Sequence, residues 1–479
     1  MTSQFAAINA EGIALASDSA VTISSPEHAQ RSTFNKVNKI FPVGGNHQIA
    51  IMICGSPQYQ PGNVSWERVV GLFSSDLKKS PHDWFDDYVD RFLRFVKNNK
   101  EINDDNQNNL AIQRSMISWF SGYPVVQAYL AYKEGTELYE QVKVETDELE
   151  KSLRHSIEEF IDGSYGGIQH IIEEHTERGP EWPAHHHQVI SEQMNNAEAV
   201  AEHYVDLLNL EIGSEYHNKL IEFINFHMAY TTFKSSKENY DHFGPPPDRS
   251  WMDKSGLVMV GFGEKDLLPK MKEFSAGPRI SKRAGAVILQ RDFELRQSED
   301  LDDKGEMRVI NTEGVTEHSA AAFIVPFAMQ SEIQGVINGI HHDIDPNLRY
   351  NLPVDMAETL ERGIIGDLSE QPGIGKSTMG KIEATFESTM RTNIQMYLFN
   401  RMGEALDLEG ILPRRAKFRS VVRVLPLPEL ANFARKMVEI EADIRRLLKP
   451  VRSVGGKIKV VTITKENGYQ VFDDENSQL

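Results

Sequence analysis

A chain of 479 residues, 40% hydrophobic and 25% charged, has the composition of an ordinary globular protein and is long enough for one enlarged domain or several smaller ones. A net charge of −19 excludes a general binder of phosphate backbones, which needs a basic surface. The single cysteine excludes an internal disulfide and suits a reducing cytoplasm, and no run of roughly 18 apolar residues is present to predict a membrane span.

The front of the chain reads as β structure. Phe5-Ala6-Ala7-Ile8 is a strand, Ala10-Glu11-Gly12 a turn, and Ile13-Ala14-Leu15-Ala16 a second strand running into Ser17-Asp18-Ser19-Ala20-Val21-Thr22. Lys36-Val37-Asn38-Lys39-Ile40 leads into a third strand, and a hairpin at Gly44-Gly45-Asn46 into a fourth, Gln48 to Gly55. Cys54 within that run reads as a small core hydrophobe. From Trp66 to about Lys100, Val69, Val70 and Phe73, then Tyr88, Phe92 and Phe95, recur at helical steps. Residues 100–245 continue as helix, with breaks at Gly179-Pro180 and at Pro183, and Phe243-Gly244-Pro245-Pro246-Pro247 reads as a linker.

Strands return at Gly256–Gly263 and Ala284–Leu289, and Arg296 to Lys304 is a charged loop. Ala320 to Ile340 reads as strand then helix. Residues 353–410 are helical with an interruption at 372–375, and Leu427 to Leu448 is a further helix. Lys457 to Thr464 and Tyr469 to Phe472 close the chain as a hairpin around Asn467-Gly468. The first residues lack a basic and then apolar leader, so no signal peptide is expected. The succession predicts an α+β chain divided as 2–62, 63–250, 251–344, 345–425 and 426–479.

The chemistry lies at the front. A hydroxyl becomes a nucleophile only when a base takes its proton. If Met1 is removed, the α-amine of Thr2, with a reference pKa of about 7.7–8.0, supplies that base on the same residue. A nearby buried lysine lowers the amine's pKa, a carboxylate keeps that lysine charged, and a glycine N–H at a strand end can hold the developing oxyanion. Thr2, Asp18, Lys36 and Gly55 occur in that order.

These residues and their spacing resemble the opening of proteasome β subunits and their bacterial relatives among the N-terminal-nucleophile hydrolases. Thr2, Gly12, Asp18 and Thr22 match without a gap, and Lys36 with Val37 and Ile40 matches after about two inserted residues. Cys54-Gly55 resembles the family's oxyanion pair, and Gly455-Gly456 through Gly468 its closing strand and hairpin. Val451, Val454 and Ala20 stand where the family usually carries Asp, Ser and Arg.

The resemblance implies a four-layer αββα sandwich with large helical insertions. It implies hydrolysis of amide, chiefly peptide, bonds through an ester on Thr2, with no cofactor and no metal. It also implies self-association, a possible ATPase partner, and neither a nucleic-acid nor a membrane partner. An inactive assembly or sensor protein on the same fold, or a small-amide acylase, is the alternative. Gln371-Pro372-Gly373-Ile374-Gly375-Lys376-Ser377 imitates a phosphate-binding loop but has Glu370 where the first glycine is required and no strand before it. His185-His186-His187 reads as a solvated loop, because consecutive histidines rarely point at one metal, and His341-His342 is discounted likewise.

Overall fold

The computed structural model describes residues 3–25, 28–34, 37–45, 47–77, 81–123, 126–129, 146–178, 181–207, 215–232, 255–279, 287–295, 308–312, 315–328, 331–340, 344–345, 347–369, 371, 375–385, 390–448 and 456–472. The chain is α+β, with two main sheets whose strands pair almost entirely antiparallel. In chain order the strands that build them begin with β1 (Ser3–Asn9) and β2 (Gly12–Ser17), followed by a small hairpin of β3 (Val21–Ser25) and β4 (His28–Phe34). Next come β5 (Ile40–Pro42), β6 (Gln48–Gly55) and the short pair β7 (Gln58–Tyr59) and β8 (Val64–Ser65). After a helical stretch follow β9 (Ser255–Phe262), β10 (Lys270–Ala276), β11 (Val287–Leu295), β12 (Arg308–Thr312), β13 (Val315–Ala320) and β14 (Phe323–Ala328). β15 (Lys459–Thr464) and β16 (Gly468–Val471) close the chain.

The first sheet runs β14-β1-β2-β15-β16, so strands from the middle and end of the chain flank the front hairpin. The second runs β12-β13-β11-β10-β9-β6-β5, with one parallel pair, β11 with β13. Period-two alternation assigns each strand's two faces. In β1 and β2, Ala6, Ile8, Ile13 and Leu15 share a core with Ala50 and Met52 of β6 and Val258 and Val260 of β9, which packs one sheet on the other. The alternate residues Phe5, Ala7, Ala14 and Ala16 meet the helix Leu427–Leu448 through its Leu430, Ala431, Ala434 and Val438. On β6 the odd positions Ile49, Ile51 and Ile53 meet the helices α1 (Trp66–Asp76) and α2 (Phe85–Asn98). Both faces of β1, β2, β6 and β9 are therefore covered, which is why these strands read as unbroken apolar runs.

Further helices are α3 (Asp105–Phe120), α4 (Thr146–Arg178), α5 (Glu181–Leu207) and α6 (Glu215–Thr232), then α7 (Ser331–Asn338), α8 (Leu352–Ser369), α9 (Lys376–Thr385), α10 (Arg391–Ala405), α11 (Leu412–Val424) and α12 (Leu427–Leu448). α3 to α6 pack around their own core, with Phe120, Tyr204, Leu220 and Phe223 at its centre. Among the described residues no helix is long and apolar enough to cross a membrane.

Three expectations need correction. Pro183 does not break the helical region; it sits in the first turn of α5, where the missing N–H is tolerated. The strand expected to end at 289 runs on to Leu295. Its polar half is held by pairs directly across the ladder, Asp292 with Lys272 at 2.8 Å and Arg291 with Glu273. His185-His186-His187 lie on α5 rather than in a loop, because this face helps build the helical core. There the rings of His186 and Trp182 stack at 5.3 Å, and His185 Nε2 lies 3.0 Å from the Ala229 carbonyl oxygen. The Pro-rich linker at 243–247, the charged loop at 296–304 and His341-His342 lie outside the described residues.

Candidate active site

Asp18 follows directly on β2 and is buried. Its backbone N–H donates to the Ser3 carbonyl at 3.1 Å, and its Oδ1 accepts from the Ser3 N–H at 3.0 Å. The first residue of β1, next to Thr2, is thus clamped to the aspartate on both of its backbone groups. The same Oδ1 accepts from Lys39 Nζ at 2.7 Å, and Lys39 Nζ also donates to the Ala20 carbonyl at 2.6 Å. Both side chains are buried, so the attraction acts in a medium of low polarity. Burial pushes the Lys39 ammonium below the usual lysine range, and Asp18 opposes that shift by charge and hydrogen bond.

The second sheet is tied to this pair from the other side. The Ile53 N–H donates to the Lys39 carbonyl at 2.9 Å, and Gln4 Nε2 donates to the Ile53 carbonyl at 2.6 Å across the inter-sheet core. Gly55 ends β6 at φ +81°, a left-handed conformation that favours glycine. Beyond it, Ser255 Oγ donates to the Ser56 carbonyl at 2.9 Å and accepts from Trp66 Nε1 at 2.8 Å, which fixes the chain's exit. A pocket of about 90 Å³ opens here, lined on its apolar side by Val37, Phe41, Ile53 and Trp66, with Lys39 and Gly55 in its wall. Cys54 points away from reactivity: burial pushes its thiol up to about 12, and its sulfur fills the space a Cβ on Gly256 would need, 2.2 Å away.

Of the residues named from sequence, the structure brings Asp18 and Gly55 to one end of the two sheets. Thr2 and Lys36 lie outside the described residues, and Thr22 lies on β3 in register with Thr33 of β4. The lysine described on Asp18 is Lys39, three residues beyond Lys36. A signal for Lys39 was present: it directly precedes Ile40, the first residue of β5, whereas Lys36 lies further back. The β3–β4 hairpin hid it: it fills most of the stretch between Asp18 and Lys39, and only Val21, Ile23, Ala29 and Phe34 of its strands are apolar.

Among the described residues no group of three or more His, Cys, Asp or Glu could hold a metal. The phosphate-loop imitation follows α8 and ends in the first turn of α9, with helix rather than strand before it. No family model matches the chain, and no curated protein or solved structure does.

Proposed function

We propose that the protein is a proteasome-like N-terminal-nucleophile hydrolase on an αββα sandwich, cleaving amide bonds, chiefly peptide bonds, from Thr2. The observation that carries the reading is a single carboxylate oxygen, Asp18 Oδ1, that accepts at once from the backbone N–H of Ser3 and from buried Lys39. That arrangement sets a lysine cation one residue from a potential chain terminus, which is where an α-amine base needs its pKa lowered. In this reading Lys39, not Lys36, is the tuning lysine.

The α-amine of Thr2 takes the hydroxyl proton as Oγ attacks the substrate carbonyl, and the Gly55 N–H holds the oxyanion. The tetrahedral adduct collapses to an ester on Thr2, and the leaving amine departs with the proton from the α-ammonium. Water, deprotonated by the same amine, then cleaves the ester and restores Thr2. The pocket beside Lys39 and Gly55 fits a small or medium apolar side chain flanking the scissile bond.

Intact-mass analysis with β-lactone and epoxyketone probes tests this. One adduct per chain is expected on protein starting at Thr2, none on Thr2→Ala, and a measurable fraction on Thr2→Ser. Folded protein with a free Thr2 terminus that takes up neither probe refutes the reading in favour of an inactive assembly or sensor protein.

A further inference from the structure

On the face that β1 turns to the second sheet, Ala6 and Ile8 are apolar and Gln4 is not. Strand alternation puts Gln4 on that same face, and it is fully buried. Its amide is locked in orientation. Nε2 donates to the Ile53 carbonyl of β6 at 2.6 Å and to Ser17 Oγ at 3.3 Å, and Ser17 Oγ donates in turn to the Asp18 carbonyl at 2.9 Å. A carbonyl oxygen only accepts, so the amide nitrogen must face Ile53. Gln4 Oε1 is left buried without a hydrogen-bond partner. Packing alone disfavours such a residue, since a methionine or leucine would fill the space without stranding a polar atom. A polar side chain that breaks the pattern of its strand under that penalty marks a place where function outweighs packing.

The Gln4–Ile53 bond closes a ring of contacts around the site. The Ser3 N–H and Lys39 Nζ both donate to Asp18 Oδ1, at 3.0 and 2.7 Å. The Lys39 carbonyl accepts from the Ile53 N–H at 2.9 Å, and the Ile53 carbonyl accepts from Gln4, the residue after Ser3. Ile53 is thus held on both backbone groups, two residues before Gly55, and Gln4 stands two residues after Thr2. The far end of β6 is tied separately, with Gln48 Nε2 donating to the Lys465 carbonyl. Gln4 pins the end that carries Gly55.

We infer that Gln4 is a positioning residue for the chemistry proposed above: its amide fixes how far the strand that begins beside the nucleophile lies from the strand that ends at the oxyanion donor. The inference rests on the reading of Thr2 as nucleophile. Gln4 acts through Ile53 and Gly55, without supplying or moving a proton. Displacing reacting groups by about 1 Å lowers a rate on the order of 100-fold. The Asp18–Lys39 pair that tunes the amine needs no bond from Gln4.

Probe-labelling kinetics on the full chain test this. Gln4→Met, matched in length and free of the stranded oxygen, should stay folded by circular dichroism. Its rate constant for acylation by a saturating β-lactone should fall about 10- to 100-fold. The half-saturating probe concentration and the pH midpoint of acylation should stay as in wild type. A purely structural role would lower stability or leave the saturated rate alone, and would not separate these three readouts. Hydrogen exchange should quicken in peptides covering Ile49–Gly55 and stay unchanged in those covering β10. Gln4→Asn, which keeps the amide but is one carbon too short, should behave likewise and stands in if Gln4→Met does not fold. A wild-type acylation rate in either folded variant overturns this inference alone, and loss of fold in both assigns Gln4 to the fold and overturns it too. No uptake by the wild-type chain overturns the reading of Thr2 and this inference with it.

Discussion

Asp18 and Lys39 form a buried ion pair beside the start of β1, and under the proposed function the same pair tunes the Thr2 amine. Each offsets the other's buried charge, and Asp18 also holds the start of β1 through the Ser3 N–H. Removing one partner of such a pair costs about 3–5 kcal/mol. Lys39→Ala should therefore lower stability by roughly that amount and abolish probe uptake at Thr2. Lys36→Ala should retain both, as read by urea midpoints and intact mass. Uptake lost in Lys36→Ala but kept in Lys39→Ala would return the role to Lys36. Three residues separate these lysines in sequence, and no composition or period distinguishes them; only the entry to β5 does.

At the scale of elements, the second sheet depends on close backbone approach between β6 and β9. Gly261 sits at φ +147°, and a Cβ there would lie 2.0 Å from the Gln48 carbonyl oxygen and 2.9 Å from Ile49 Cα. Gly261→Ala must shift backbone rather than a side chain, and should cost about 2–5 kcal/mol in a denaturant titration. Gly71 of α1 has nothing within 4 Å of its would-be Cβ, and Gly71→Ala should be neutral or stabilising by about 0.5–1 kcal/mol. The sequence marks both as glycines inside regular elements. It does not say which one a neighbouring strand presses against, because that neighbour is some 200 residues away.

At the scale of the whole molecule, the cores differ in what they place at risk. The core of α3 to α6 contains His227, packed between the rings of Trp119 and Phe223 at 4.5 Å each. Burial pulls its pKa down from 6.5 to about 4. The unfolded chain therefore binds a proton that the folded state refuses between those values, so the stability due to neutral His227 is complete above pH 6.5. It is lost as pH falls towards 4, by about 3 kcal/mol in all. Fluorescence of Trp119 and Trp182 should report loosening of this helical core on acidification, and His227→Phe should flatten the pH dependence. An unaltered acid profile in that variant would place the sensitivity elsewhere.

The sequence alone determined what is local. Helical steps in Trp66–Lys100 and Leu427–Leu448, the turn at Gly12 and the closing hairpin at Asn467-Gly468 rest on neighbours a few residues apart, and each falls where its pattern predicts. The order of Asp18 and Gly55 along the front strands was likewise legible, because their spacing follows strand lengths. What only the tertiary structure decided depends on pairing across the chain. β11 runs on through charged residues because β10 offers opposite charges in register. Histidines 185–187 join a helix whose face packs against α6, where His185 Nε2 meets the Ala229 carbonyl oxygen. Among the described residues Lys39 is the lysine on Asp18 because β5, tied to β6, delivers it there. Short-range patterns encode backbone propensity; the choice among equivalent side chains is made by the partner that arrives from elsewhere in the chain.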